Sequence, residues 1–166
     1  MSCYQNIATY YDRLMESGYY DHNQLAERAR SAMGGRTSVL ELGVGTGQMA
    51  KALLALDPDY DFCGIDFSAA MLEIARKRFS DRIPLVECDI ANMDLDREFE
   101  VALSSGGTWV IVQSGNELLL GTHLFDYEKD LQGLQKTAAH LVSGGIVMLS
   151  VHPPHTSRTL DLALVA

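Results

Sequence analysis

Three carboxylates stand where apolar runs of this chain end, and they are the side chains best placed to do chemistry. Glu41 opens Glu41-Leu42-Gly43-Val44-Gly45-Thr46-Gly47, Asp66 closes Gly64-Ile65-Asp66, and Asp89 stands in Glu87-Cys88-Asp89-Ile90. Alternating glycines let a backbone turn sharply and approach a ligand with no Cβ in the way. A helix opening just beyond them aims its first N–H groups at whatever sits there. Asp66 comes nineteen residues after Gly47, where an acidic side chain can accept both hydroxyls of a ribose. Asp89 can accept from an exocyclic adenine amine. Singly, each has a plainer explanation: a tight strand-to-helix turn for the glycines, a solvated strand end or helix cap for an aspartate. Together, in register, they point to an adenosine-bearing ligand. The dinucleotide fingerprint wants glycine at the sixth place of G-x-G-x-x-G. Here that place is Gln48, which disfavours a nicotinamide cofactor.

The elements that must position these residues alternate. Leu25, Ala26, Ala29 and Met33 recur at helical spacing between Asp21, an N-cap, and Gly34-Gly35. Strands are predicted over residues 38–42, 61–66, 85–88, 100–104 and 146–151. Helices are predicted over 46–56, from Ser68 to Phe79, and over 127–142, the last closed by Gly144-Gly145. Strands alternating with helices specify a doubly wound, mostly parallel α/β sheet covered on both faces. Ligands of such sheets lie outside the carboxyl ends of the strands.

Composition narrows the partners. A chain of 166 residues makes one domain, and its 47% hydrophobic and 21% charged residues are those of a soluble globular protein. With 13 basic against 22 acidic side chains, a net charge of −9 and no basic stripe, nucleic acid is excluded as a partner. No apolar run approaches the roughly 20 residues that span a bilayer, and the first residues lack the pattern of a secretory signal. Cys3, Cys63 and Cys88 are odd in number and far apart, which fits reduced thiols in a cytoplasmic protein rather than disulfides or zinc. No metal is expected: His152-Pro153-Pro154-His155 reads as a rigid loop. Arg76-Lys77-Arg78 reads as a solvated helix face.

The motifs resemble those of the class I S-adenosylmethionine-dependent methyltransferases. Residues 39–50 match the first motif and Gly64-Ile65-Asp66-Phe67-Ser68-Ala69-Ala70-Met71-Leu72 the second, with residues 86–94 and 99–107 similar to the third and fourth. The resemblance implies a Rossmann-like methyltransferase fold with S-adenosyl-L-methionine as cofactor. Glu41 and the backbone at Gly43, Gly45 and Gly47 would hold its methionine part, and Asp66 its ribose. Phe67 and Met71 would pack on the adenine, Asp89 and the Ile90 backbone would read its edge, and Ser104 would offer a carbonyl to the cofactor's amino group. Tyr11-Asp12 resembles the tyrosine-bearing segment that lids the cofactor, which puts Tyr11 among the cofactor-binding residues. The implied layout is an N-terminal lid segment and helix over residues 1–36 and a cofactor-binding core over 37–166.

The fourth motif, Ser104-Ser105-Gly106-Gly107-Thr108-Trp109, lacks the Asp/Asn-Pro-Pro-aromatic sequence of enzymes that methylate nucleobase or amide nitrogens. With the acidic charge this favours a small-molecule acceptor, and the flavour is that of amine N-methyltransferases of natural-product biosynthesis. An amine brings its own lone pair, whereas a hydroxyl needs a general base. Catalytic candidates are Tyr11 and Tyr19, with Tyr20 beside them, and His123; each tyrosine can equally be a packed aromatic, and for His123 a loop histidine without a role is the favoured reading. Residues 109–112 either line the acceptor pocket or belong to the core. The expected function is therefore N-methylation of a small-molecule amine, O-methylation next, in a chain free to form a homo-oligomer. A protein of the same fold that binds the cofactor without methylating is the alternative. A class I sheet usually has seven strands, so the last two are expected to lie outside this sequence or to be replaced by a partner chain at the sheet edge.

Overall fold

The computed structural model describes residues 4–19, 21–80, 82–114 and 116–152. A helix, α1 (Tyr4–Leu14), runs into a π-helical turn (Met15–Tyr19) and then α2 (His22–Met33). Next come β1 (Ser38–Leu42), α3 (Gln48–Leu56), β2 (Asp61–Asp66), α4 (Ala69–Phe79) and β3 (Leu85–Glu87). A 3-10 turn (Ile90–Asn92) leads to β4 (Phe99–Ser104), β5 (Trp109–Ser114) and β6 (Glu117–Thr122), followed by α5 (Tyr127–Ala139), β7 (Leu141–Leu149) and β8 (Val151–His152).

Five strands form one parallel sheet in the order β3-β2-β1-β4-β7. Its central strand, β1, is apolar at Val39, Leu40 and Leu42 because both faces are covered. Val39 packs with α2, α3 and α4, while Leu40 and Leu42 pack on the other side with Cys63, Ile65, Phe99 and Trp109. Leu40 and Leu42 are fully buried, which stabilises the fold by about 1.5–3 kcal/mol for each side chain. Glu41 follows the period of Val39 and so turns its carboxylate to the α3 side. The expected caps are present: Asp21 accepts from the Gln24 amide at 3.0 Å and Ser68 from the Met71 amide at 3.5 Å. Among the described residues β7 is the outer edge of this sheet, and no helix is long and apolar enough to cross a membrane.

Three expectations are corrected. The helix predicted over 127–142 ends at Ala139, because the chain is drawn into the sheet there: the Phe99 amide donates to the His140 carbonyl at 2.8 Å. His140 Nε2 accepts from the Leu95 amide at 2.8 Å while Nδ1 faces the Lys136 carbonyl at 2.7 Å. Gly144-Gly145 then marks an irregularity within β7, where the register jumps from Leu141 to Ile146, rather than the end of a helix. Secondly, the tyrosine-rich N-terminal stretch, for which no element is predicted, carries α1. Thirdly, the segment after β4, for which no element is predicted, forms an antiparallel hairpin, β5 paired to β6, extended by a parallel pairing to β8.

Candidate functional site

The carboxyl ends of β1, β2 and β3 open on one cavity of about 270 Å³. The loop after β1 is held down by β2: the Gly43 and Val44 amides both donate to the Ile65 carbonyl, at 2.9 and 2.8 Å. Gly43 lies in the left-handed region at φ +75°, and a Cβ there would meet the Thr108 nitrogen at 2.9 Å. A Cβ on Gly107 would meet the Leu42 carbonyl oxygen at 2.4 Å. Only two glycines let the β1–α3 loop and the β4–β5 loop touch backbone to backbone.

Asp66 stitches the same loop from below. Its Oδ2 accepts from the Gly45 amide and its Oδ1 from the Ser68 amide, each at 2.8 Å. Burial raises its pKa, and the hydrogen bonds from Ser68, Gly45 and Phe67 oppose that. With three amides bound, the carboxylate keeps one of its four lone-pair sites for a ligand. Glu41 is more extreme. It is 2% exposed, and its Oε2 has no hydrogen-bond partner among the described residues. Burial foremost, then the Asp66 charge, pushes its pKa well above the ordinary carboxylate value, against one hydrogen bond from the Ala50 amide. A buried acceptor left without a donor is costly, so a ligand that donates to it gains the more. Asp89 Oδ1 accepts from the Ala91 amide at 3.0 Å, and its Oδ2 lies 3.8 Å from Lys129 Nζ.

The wall opposite comes from the N-terminal segment. Thr46 Oγ1 donates to Asp12 Oδ1 at 2.5 Å, Arg78 pairs with Asp12 and donates to the Thr46 carbonyl at 2.5 Å, and Gln48 Nε2 donates to Glu16 Oε1 at 3.3 Å. Burial works against the Asp12 charge, but the hydrogen bond from Thr46, the Arg78 charge and further hydrogen bonds hold its pKa below the usual value. Docked in this way, α1 turns Tyr11 into the cavity. Arg78 is therefore no part of a solvated face: its side chain is 18% exposed, whereas Lys77 pairs with Glu73 in solvent at 2.7 Å.

Of the residues singled out from sequence, Tyr11, Glu41, Gly43, Gly45, Asp66, Phe67, Met71, Asp89, Ile90 and His123 line the cavity. Gly47 does not; it turns toward the Phe79 ring of α4. Ser104 stands behind the wall, its hydroxyl donating to the Trp109 carbonyl at 2.9 Å and its own carbonyl accepting from the Ser150 amide at 3.0 Å. Residues 105–108 line the cavity instead. The side chain of Tyr19, and Tyr20 altogether, lie outside the described residues. Trp109 is core: it is fully buried, and its Nε1 donates to Asp130 Oδ1 at 2.7 Å. Sequence reasoning missed His22, Thr46, Gln48, Cys88, Leu124 and Lys129 as lining residues. His22 follows the N-cap Asp21 directly, a position that marks a helix start but carries no chemical signature.

Comparison with known proteins adds to this geometry. Residues 39–145 match the family model described as a methyltransferase domain. A malonyl-[acyl-carrier protein] O-methyltransferase from Bacillus cytotoxicus is 29% identical over 143 residues, 85% of this chain and 44% of that protein. A demethylmenaquinone methyltransferase from Thermotoga maritima is 30% identical over 121 residues, 72% of this chain and 46% of that one. The crystal structure of DesVI from Streptomyces venezuelae superposes with a TM-score of 0.66 at 25% identity, covering 89% of this chain and 58% of that chain. The chain spans less than half the length of the curated relatives it matches.

Proposed function

The chain belongs to the methyltransferase-domain family, of the class I S-adenosylmethionine-dependent kind, and from that premise we propose that it methylates a small molecule at an amine nitrogen. One observation carries the reading: Glu41, Asp66 and Asp89 stand at or just beyond the carboxyl ends of three neighbouring strands and line one cavity. The residues fit the cofactor. The unpartnered Glu41 Oε2 suits an ammonium donor, the remaining lone-pair site of Asp66 suits a ribose hydroxyl, and Asp89 suits an adenine amine. Phe67, half exposed beside Met71, offers apolar surface for a purine. Gly45, where a Cβ would meet nothing within 4 Å, leaves room for the ligand.

When bound, the cofactor's sulfonium supplies an electrophilic methyl group and departs as a neutral thioether. The protein's share is to hold the acceptor nitrogen in line, keep water out and receive a proton. An amine attacks with its own lone pair, forms the new N–C bond and afterwards sheds one proton. Tyr11 and His123 stand at the cavity where that proton can be received. A hydroxyl acceptor would have to lose its proton during attack, which asks for a stronger base. Cys63 and Cys88 are free thiols, in keeping with the cytoplasm as the proposed compartment.

Calorimetry tests the cofactor. S-adenosylhomocysteine is expected to bind at micromolar levels and NAD not at all, and the opposite order sinks the reading. A screen of amines and alcohols with methyl-labelled cofactor tests the acceptor; transfer only to hydroxyls overturns the choice of nitrogen.

A further inference from the structure

The hairpin leaves β6 on an open edge. Among the described residues the smaller sheet runs β6-β5-β8, so β6 is paired on one side only. Its phase is fixed: the His123 amide donates to the Thr108 carbonyl at 3.1 Å, just past the Trp109–Thr122 pair. Backbone bonding alternates along an antiparallel strand, so Glu117, Leu119 and Gly121 share the phase of His123 and bond to β5. Leu118, Leu120 and Thr122 turn their N–H and C=O groups outward. The side chains are as open as the edge. Leu118 and Leu120 are 68% and 45% exposed on one face of the strand, and Leu119 is 50% exposed on the other. Natural sheet edges are guarded by lysine, proline or an inward-pointing charge. β6 has none of these from Leu118 to Thr122. Three consecutive exposed leucines beside unpaired backbone groups make a template for another strand.

We infer that this edge joins a second copy of the chain, β6 to β6 in antiparallel, about a two-fold axis centred on Leu120. The pairing sets Leu120 opposite Leu120, Leu118 opposite Thr122, Leu119 opposite Gly121 and Glu117 opposite His123. A leucine then meets a glycine, where no side chain competes for space. A carboxylate meets an imidazole, acceptor to donor, and no two like charges face one another. Charge selects the occupant as well. The chain carries a net charge of −9, and a basic partner would settle on acidic surface. The stretch from Leu118 to Thr122 is uncharged, which lets two like-charged bodies meet there. The assembly closes at two copies. An isologous contact uses both β6 edges, and β8, at the other side of the described sheet, is only two residues long. His123 lines the cavity, so the second copy brings its Glu117 carboxylate to the rim of the site.

Sedimentation velocity on the full chain, over a hundredfold range of concentration and at two salt levels, tests the pairing. A monomer–dimer equilibrium is expected, with the dimer favoured at the higher salt because screening weakens the repulsion of two acidic bodies. Leu120→Pro removes one outward N–H and leaves the bonds to β5 in place; it should weaken the dimer at least tenfold. Leu118→Lys, which sets an unpaired ammonium against Thr122 of the second copy, should do the same without altering the backbone. Oxidation of the double variant Glu117→Cys/His123→Cys should link two copies by disulfides, while Glu117→Cys alone should not. A dimer without that link overturns the register centred on Leu120. A monomer at every concentration overturns the proposal, and so does a dimer that both Leu120→Pro and Leu118→Lys leave intact. A monomer whose chemical cross-links run from β6 to residues 153–166 also overturns it, giving the edge to the chain's own C-terminal segment. None of these outcomes bears on the cofactor reading, which calorimetry tests separately.

Discussion

Thr46 donates its hydroxyl proton to the Asp12 carboxylate at 2.5 Å, joining the glycine-rich loop to a helix 34 residues earlier in the chain. Arg78 closes the arrangement from α4 by binding both Asp12 and the Thr46 carbonyl. Asp12→Ala should lower stability by about 1–3 kcal/mol, the cost of stranding partly buried partners of a charged group. It should also raise the KM for cofactor several-fold, since Tyr11 is placed by the same contact. Denaturant melts and steady-state kinetics read the two effects. A stability loss with unchanged KM would separate α1 from the site.

Asp66 has a double role, toward the loop and toward a ligand. Asp66→Ala should weaken S-adenosylhomocysteine at least tenfold by calorimetry. Unchanged affinity would remove Asp66 from ribose binding.

Glu41 links cofactor binding to protons. Its raised pKa keeps it protonated in the free protein above the pH where an unfolded glutamate ionises. Pairing with an ammonium requires the carboxylate, so binding should release a proton and the measured enthalpy should follow the ionisation enthalpy of the buffer. The sign for stability is set by the same shift. Between the ordinary value of 4.5 and the raised one, the folded state holds a proton that the unfolded chain has lost, so stability falls as pH rises through that window. Glu41→Gln should abolish the buffer dependence and raise the melting temperature of the free protein at neutral pH.

Tyr11→Phe and His123→Ala address the proton that leaves the acceptor. If either receives it, kcat should fall at least tenfold while the affinity of His123→Ala for S-adenosylhomocysteine stays within twofold. Full turnover in both variants assigns these side chains to packing alone.

Asp130 anchors the hairpin to α5: its Oδ1 accepts from Trp109 Nε1 at 2.7 Å and from Thr122 Oγ1 at 2.6 Å. Asp130→Ala should cost about 1–3 kcal/mol in a thermal or denaturant melt and leave cofactor affinity near wild type. A larger effect on binding than on stability would mean that the hairpin shapes the cofactor floor.

Much of this was legible in the residues themselves. The limits of β1 and β2 are those of their apolar runs, because a central parallel strand buried on both faces has little room for polar residues. Glu41, Asp66 and Asp89 were readable as a group because strand ends converge in this topology. The stretch from 140 to 149 was not, since Leu141 and Val142 keep helical spacing with Ala138 while long-range bonds through His140 draw these two into the sheet. The hairpin was missed although Gly115-Asn116 between two apolar runs is a two-residue turn signal. Arg78 and His22 were out of reach for another reason. The Asp12 partner of Arg78 is 66 residues away, and no local pattern records a charge so distant.

The contact of Gly43 with Gly107 divides what can be redesigned from what cannot. Backbone meets backbone there with no space for even a methyl group, so neither loop can shift without the other. The hairpin beyond Gly107 is held apart from that seam, by the backbone pairing of β5 with β6 and β8 and by the His123 amide on the Thr108 carbonyl. A library meant to change acceptor preference should start at Thr108 and stop at Leu124. Diversity introduced on the other side of the seam would be spent on losing the cofactor.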